Sequence, residues 1–273
     1  MKTILAPTDF SEASMNALSF AAELSRRASA RLFVINVVRE EQDEKESKDK
    51  LNAMEPDLKK SFGPDLKFES SLVHGEFVSA LRKVISVQQP DLVVMGTKGA
   101  SGLKRILIGS NTVKMIANTR MPVLVIPEVA RFENFLATEK NRIVLATDLD
   151  ELENEEAINI VKEIALMITE PKVRVLSVRP EKTGLPDMKR MYRDFLLSFF
   201  EPEIKSERVT VFSGNVISGI NFYLNQHADT GLLAMVARDS GHLIEKHFTR
   251  EMASHTHLPL LVLHDAESKK GTS

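Results

Sequence analysis

The chain contains two copies of one sequence pattern, and this repeat limits the folds that it can adopt. KTILAPTDFSE, from Lys2 to Glu12, returns in form as NRIVLATDLDE, from Asn141 to Glu151. Three further pairs follow in the same order at an offset of about 140 residues: RLFVINVV with KVRVLSV, HGEFVSALRKVI with SGNVISGINFYL, and MPVLVIP with LPLLVLH. The repeat therefore predicts two domains of the same fold.

The segment between the two copies marks the predicted domain boundary. PEVARFENFLATEK, from Pro127 to Lys140, has a mixed composition and is expected to be a linker. A chain of 273 residues is long enough for two domains of ordinary size. We therefore predict one domain over residues 1–130 and a second over residues 141–266.

Short apolar runs alternate with segments of helical periodicity in the first copy. The predicted strands are Lys2–Ala6, Arg31–Val37, Leu66–Val73, Asp91–Met95 and Val123–Ile126. The predicted helices are Ser11–Ala28, Glu41–Ser61, Glu76–Gln88 and a segment that begins near Ser110. Parallel strands need long crossovers, which these helices supply. We predict an α/β fold with two doubly wound, parallel, five-stranded sheets, each Rossmann-like with strand order 3-2-1-4-5.

A glycine-rich stretch, GTKGASGLKRILIGS, follows the fourth predicted strand and leads into a helix. Glycines let a ligand approach the main chain closely, which suggests a phosphate loop. The spacing fits neither a Walker loop nor the GxGxxG pattern. Instead, two residues separate Gly96 from Gly99, nine separate Gly99 from Gly109, and Ser110 follows directly.

The predicted strand order brings this loop to a second polar segment. Ligands of such sheets bind beyond the carboxyl ends of the strands, where the strand order reverses, so Pro7, Thr8 and Asp9 are expected beside the glycine loop. The start of a helix attracts phosphate, which places Gly109 and Ser110 at the phosphates of a nucleotide. Asp9 has two readings at this stage: an N-cap of the first helix, or an acceptor for ribose hydroxyls.

These segments together resemble the universal stress protein family. The resemblance rests on APTDFSE, INVV, HGE, DLVVMGTKGASGLKRILIGSNT and MPVLVI, and the doubled pattern is similar to the tandem members of the family. It implies an adenine nucleotide alpha hydrolase-like fold. The ATP-binding branch has the motif Gly, two residues, Gly, nine residues, Gly and then Ser or Thr, and the first copy matches this spacing throughout.

The resemblance also implies roles for single residues. Asp9 is expected near the ribose, the backbone of Val37 at the adenine, and Met95 in the wall of the same pocket. The predicted nucleotide-binding residues are Pro7, Thr8, Asp9, Val37, Met95, Gly96, Gly99, Gly109, Ser110 and Asn111. The implied ligand is ATP, alone or with magnesium.

The second copy departs from the motif where phosphate should bind. Counted back from Pro259, the positions of Gly109 and Ser110 hold Lys246 and His247, so we predict that this copy does not bind ATP in the manner of the family. Asp148 and Gly214 are still present in the second copy. Either they keep part of the nucleotide-binding function, or they serve as a helix cap and a turn.

Two other features of the second copy leave alternatives open. FLLSFF, with Met188, Met191 and Tyr192, is either core or the lining of a pocket for an apolar ligand. His247, Glu251 and His255 share a helix face. This suggests either a pair of metal ligands, such as His247 with Glu251, or simply a polar surface.

The resemblance favours a regulatory protein that binds ATP in its first domain, with the second domain as a degenerate partner or as a module for another ligand. A slow ATPase or phosphotransferase and a structural interaction scaffold are the alternatives. No base or metal-ligand pair is recognisable beside the phosphate loop except Asp9, so no catalytic residue and no bound metal are predicted.

The composition and charge of the chain limit the classes of partner that it is expected to bind. A net charge of -2 and a pI near 6.4 argue against nucleic acid, and no apolar run is long enough to span a membrane. The absence of cysteine fits a cytoplasmic location. We expect an unidentified protein partner and a pseudo-dimer within the chain, in which Val123–Ile126 pairs with Pro259–Leu263, and a homodimer is a further option.

Overall fold

The protein divides into two compact units, Met1–Phe132 (unit 1) and Glu133–Ser273 (unit 2). The computed structural model describes residues 1–39, 44–97, 110–132, 140–152, 155–180, 184–238 and 257–265, and for Ser110 and Arg238 it describes the backbone alone. Each unit is described by itself below.

Strands and helices alternate throughout unit 1. The strands are β1 (Thr3–Thr8), β2 (Arg31–Val38), β3 (Lys67–His74), β4 (Leu92–Gly96) and β5 (Val123–Ile126). The helices are α1 (Glu12–Ala28), α2 (Glu44–Phe62), α3 (Phe77–Gln88) and α4 (Ser110–Asn118). The strands pair in parallel in the order β3-β2-β1-β4-β5, which confirms the predicted fold class and strand order.

Unit 2 repeats this architecture in the residues that the structure describes. Its strands are β6 (Arg142–Ala146), β7 (Lys172–Arg179), β8 (Lys205–Phe212), β9 (Thr230–Arg238) and β10 (Leu260–Asp265). Its helices are α5 (Glu156–Ala165), α6 (Asp187–Phe200) and α7 (Val216–Gln226). Parallel pairing in the order β8-β7-β6-β9-β10 gives the same 3-2-1-4-5 arrangement.

The central strands hold the core of each unit. Every residue of β1 and of β6 is buried, because each of these strands lies between two neighbours. By contrast, every residue of the edge strands β3 and β8 is at least partly exposed. Within the described residues, no helix combines the length and the apolar character needed to cross a membrane.

Several boundaries differ from the predicted ones by one or two residues. The first strand continues past Ala6 to Thr8, and the fourth includes Gly96, which was predicted to open the glycine loop. Gly96 remains in the sheet because it is in register with Ile126, and the N–H of Thr97 donates to the Ile126 carbonyl at 2.9 Å.

Candidate functional site

A tight turn at the end of β1 forms one wall of the candidate site. The hydroxyl of Thr8 accepts a hydrogen bond from the Phe10 N–H at 3.0 Å, and Phe10 has a positive φ of 61°. Asp9 Oδ1 accepts from the Ser11 N–H at 3.1 Å. Asn36, in the neighbouring strand β2, donates from Nδ2 to the Thr8 carbonyl at 2.8 Å. The turn is therefore fixed by hydrogen bonds from both sides.

The structure decides which residue caps α1. Ser11 is the N-cap, and its side chain accepts from the Ser14 N–H at 3.3 Å. Asp9 lies two residues earlier and bonds to Ser11, so the N-cap reading of Asp9 is wrong. A serine at this position satisfies the orphan N–H at the helix start, which leaves the Asp9 carboxylate for another role.

Asp9 is exposed and carries a perturbed carboxyl group. Partial burial raises the pKa of Asp9, but hydrogen bonds from the hydroxyl and the N–H of Ser11, with a further contribution from Ser14, outweigh it and leave the pKa below its ordinary value. The side chain is therefore an ionised acceptor at neutral pH.

The end of β4 packs directly against the start of α1. A Cβ atom on Gly96 would lie 2.2 Å from the carbonyl oxygen of Ala13, so no larger residue fits without moving backbone. On the other side, the buried hydroxyl of Thr112 donates to the Gly96 carbonyl at 3.0 Å. This bond ties the first turn of α4 to the end of β4.

A cavity of about 340 Å³ opens where β1 and β4 end. Its volume lies within the range of small-molecule sites, roughly 300 to 1,000 Å³. Seven of the predicted nucleotide-binding residues line it: Pro7, Thr8, Asp9, Val37, Met95, Gly96 and Asn111. The structure therefore brings residues from β1, β2, β4 and α4 into one site.

The remaining predicted residues cannot be placed in this way. Gly99 and Gly109 lie outside the described residues, and so does the side chain of Ser110, whose backbone begins α4. Their contribution to the site stays a prediction.

The cavity also has walls that the sequence did not predict. The additional lining residues are Ser11, Ala13, Ser14, Arg39, Gly75, Phe77 and Thr112. Arg39 follows β2, and its guanidinium lies 3.2 Å from the Glu76 carboxylate, at the start of α3. The HGE segment contains Gly75, whose φ of 127° strongly favours glycine. This glycine is the feature of the sequence that could have indicated that the loop before α3 lines the cavity.

The sequence itself assigns the chain to a family. The profile of the Universal stress protein family matches residues 1–127. A universal stress protein of Methanocaldococcus jannaschii is 30% identical over 146 residues, which cover 46% of this chain and 81% of that protein. This chain belongs to the universal stress protein family. A second universal stress protein of the same organism is 28% identical over 152 residues, covering 46% of this chain and 94% of that protein.

Solved structures extend the likeness in fold to both units. A universal stress protein from Archaeoglobus fulgidus has a TM-score of 0.74 at 18% identity and covers 97% of this chain and 98% of its own. This likeness concerns the fold alone. Another matched structure, with a TM-score of 0.37 at 20% identity, covers 46% of this chain and 96% of its own and is a universal stress protein in complex with cAMP.

Unit 2 repeats the first turn of the site. Thr147 accepts from the Leu149 N–H at 3.0 Å, and Asp148 accepts from the Asp150 N–H at 3.1 Å. Leu149 has a φ of 62°, as Phe10 has in unit 1. Asp148 does not cap a helix, since α5 begins after Glu155, so the capping reading of Asp148 is wrong.

The other walls of the site differ in unit 2. Counted along the paired strands, Val236 of β9 takes the place of Gly96. Val178, the counterpart of Val37, lies against α7 so closely that a Cβ on Gly219 would be 2.6 Å from its Cγ1. The corresponding position in α3 is Ala80, which has a Cβ. The helix α7 therefore approaches Val178 closely only because Gly219 has no side chain.

The metal hypothesis concerns residues that the structure does not cover. His247, Glu251 and His255 all lie outside the described residues. Within the described ranges, no group of three or more histidine, aspartate or glutamate side chains is arranged to hold a metal ion.

Proposed function

We propose that unit 1 binds ATP and that the protein acts as a nucleotide-dependent regulator. The observation that carries this proposal is the cavity at the switch point of the sheet, which is lined by seven of the residues predicted to bind a nucleotide. Unit 2 serves, in this proposal, as a degenerate partner domain in which the same site is altered.

The two sides of the cavity suit the two parts of an adenosine nucleotide. Val37 and Met95 offer apolar surface for a base, and Phe77 adds an aromatic ring to the lining. Asp9, ionised at neutral pH, is suited to accept hydrogen bonds from ribose hydroxyls. An amphipathic ligand with a flat apolar end therefore fits this lining better than an inorganic anion does.

The phosphates are assigned to the other end of the site. Gly96 precedes the glycine loop, and Asn111 lies in the first turn of α4, where unpaired backbone N–H groups and the helix dipole favour negative charge. In the proposal, the backbone around Gly109 and the Ser110 hydroxyl complete this phosphate site. Magnesium, when present, would offset the charge of the phosphates.

Calorimetric titration of the full chain with ATP tests the proposal. Gly109→Val blocks the approach of phosphate to the backbone, whereas Ser110→Ala removes one hydrogen bond to a charged group, worth about 1.5 to 3 kcal/mol. We expect Gly109→Val to weaken ATP binding more than Ser110→Ala. Negligible and equal losses in two correctly folded variants would contradict the phosphate assignment.

The same titration identifies the nucleotide. We expect ATP to bind more tightly than AMP or cAMP, because only ATP brings terminal phosphates to the start of α4, and more tightly than GTP. Tighter binding of cAMP, the ligand of one matched family member, would overturn the assignment of ATP. Phosphate release measured alongside distinguishes a binding protein from a slow ATPase.

A further inference from the structure

A second cavity lies in unit 2, beside the turn that corresponds to the Thr8-Asp9 turn of unit 1. It has a volume of about 380 Å³ and lies between α6 and the turn that follows β6. Its apolar lining consists of Leu149, Met188, Met191, Tyr192 and Phe195. Four of these five residues lie on α6 at helical spacing, so they form one continuous face of that helix.

This helix face is unusually exposed for its composition. Met188 is 69% exposed, Met191 is 67% exposed and Phe195 is 37% exposed, whereas Tyr192 beside them is buried. Burial of large apolar side chains normally stabilises a fold, so adjacent exposed ones suggest a contact with a ligand. The methionines suit such a contact because their flexible, polarisable side chains adapt to different shapes.

The corresponding face of unit 1 has a different character. There, the ammonium group of Lys50 lies 5.3 Å from the centre of the Phe10 ring, and Phe10 is the counterpart of Leu149. The neighbouring α2 residues at this surface include Lys45, Glu46 and Asp49. The described residues of unit 1 thus carry charges of both signs where unit 2 has methionines and aromatic rings.

The charges around the unit 2 cavity are not balanced. Among the residues that the structure describes, Asp150, Glu151 and Glu155 line it together with one cation, Lys189. The ammonium group of Lys189 already binds the Asp150 carboxylate and the Asp148 carbonyl, each at 2.9 Å. The described part of the lining therefore has two more negative than positive charges, and a cation is the complementary ligand.

The aromatic rings favour the same sign of charge. Tyr192 and Phe195 are stacked with their ring centres 5.8 Å apart. The face of an aromatic ring attracts a cation, and the attraction adds to that of nearby carboxylates. An anionic amphiphile would gain the apolar contacts but would meet unfavourable electrostatics from both the rings and the carboxylates.

We propose that this cavity of unit 2 binds a small organic cation with an apolar body, such as an aryl-alkyl amine. The apolar body contacts Met188, Met191 and Phe195, and the ammonium group faces Glu151 and Glu155. This site is independent of the nucleotide site of unit 1 and does not rest on the proposed function.

The test is an NMR titration of the full chain labelled at the methionine methyl groups. The probes are phenylbutylamine, a cation at neutral pH, and phenylbutyrate, an anion with the same apolar body. We expect saturable shifts of Met188 and Met191 with the amine, at an affinity about tenfold higher than for the acid. Met15, 37% exposed in unit 1, is the internal reference and should not shift.

Charge variants sharpen the test. Glu151→Gln combined with Glu155→Gln should weaken amine binding by roughly three- to tenfold and bring the two probes closer in affinity, whereas the control Glu170→Gln should change neither. Equal affinities of the two probes for the unaltered protein, an unchanged amine affinity in the double variant, or an equal shift of Met15 would overturn the proposal.

A second copy of the chain is the competing occupant of this face. Sedimentation velocity of the unaltered protein and of Met191→Glu distinguishes it. We expect the same mass for both, because the substitution lies on an exposed ligand surface. A dimer that dissociates in Met191→Glu would show that the face is an interface between copies and would overturn the small-cation proposal.

Discussion

The two units share the turn after their first strand but differ at the end of their fourth. Thr8-Asp9 and Thr147-Asp148 accept the same hydrogen bonds at the same distances. The fourth strand ends in Gly96 in unit 1, and Val236 takes its place in unit 2. The Thr-Asp turn is therefore common to both units, whereas the residue at the end of the fourth strand differs between them.

The two units also differ in the packing of their third helix against their second strand, which are α7 and β7 in unit 2. In unit 1, the counterpart of Val178 lines a cavity, whereas Val178 itself packs against the backbone of α7 at Gly219. The absence of a side chain at Gly219 thus accompanies the close approach of α7 to β7. The difference between the units lies in packing as well as in the glycine motif.

The largest expected effect follows from Gly96→Val. The new Cβ would lie 2.2 Å from the Ala13 carbonyl, and backbone atoms cannot move aside as a flexible side chain can. We expect unit 1 to lose about 3 kcal/mol of stability and the protein to lose ATP binding. Hydrogen exchange of β1 and β6 peptides reports on the two units separately, and β6 should be unaffected.

The control for this substitution is Val236→Gly in unit 2. It should lower protection in β6 peptides and leave ATP affinity unchanged. Undiminished ATP binding in a folded Gly96→Val protein would contradict the claim that the residue at the end of the fourth strand decides nucleotide binding.

The next effect in size concerns Gly219→Ala. The added methyl would lie 2.6 Å from Val178 Cγ1, so we expect unit 2 to lose about 2 kcal/mol. The reverse change in unit 1, Ala80→Gly, should cost about 1 kcal/mol through helix propensity. Urea unfolding followed by hydrogen exchange measures both. If Gly219→Ala stabilised unit 2, as glycine replacement in a helix ordinarily does, the close approach of α7 would be incorrect.

A smaller effect distinguishes the two aspartates. Asp9→Asn removes a charged acceptor and should weaken ATP binding about tenfold, or about 1.4 kcal/mol. Asp148→Asn makes the same change in the same turn and should leave ATP affinity unchanged. Calorimetry on both variants makes the comparison, and equal weakening in both would contradict the assignment of the ligand to unit 1.

The smallest expected effect is a pH dependence of unit 1. The folded pKa of Asp9 is below the ordinary value of 3.8, so its contribution to stability is present above that value and is lost as the pH falls through the folded pKa. Asp9→Asn should therefore reduce the loss of stability of unit 1 under acid conditions. The stabilities of the two proteins should differ most above pH 3.8 and converge as the pH falls through the folded pKa of Asp9, and a difference that stays the same at every pH would contradict the assigned hydrogen bonds.

Much of the fold could be predicted because it depends on local periodicity. Buried strands such as β5 are continuous apolar runs, and the helices between the strands fix a parallel sheet. The candidate site was predictable where it follows strand ends, as at Asp9 and Met95. The role of Ser11 as the cap was missed because Asp and Ser are both good N-caps, and only the backbone decides between them.

The remaining walls depend on contacts between elements distant in sequence. Arg39 and Phe77 reach the cavity because the end of β2 lies beside the start of α3, which their own sequences do not indicate. The approach of α7 to Val178 likewise follows from the packing of a helix on a strand. Neither depends on a periodic pattern that a single sequence displays.

The central claim is that the two units differ in nucleotide binding, and the stoichiometry of ATP tests it most directly. Calorimetry on the full chain should give one ATP per chain, with binding retained in Asp148→Asn and lost in Gly96→Val. Two equivalent sites per chain, or a single site that survives in folded Gly96→Val and is lost in Asp148→Asn, would contradict the account.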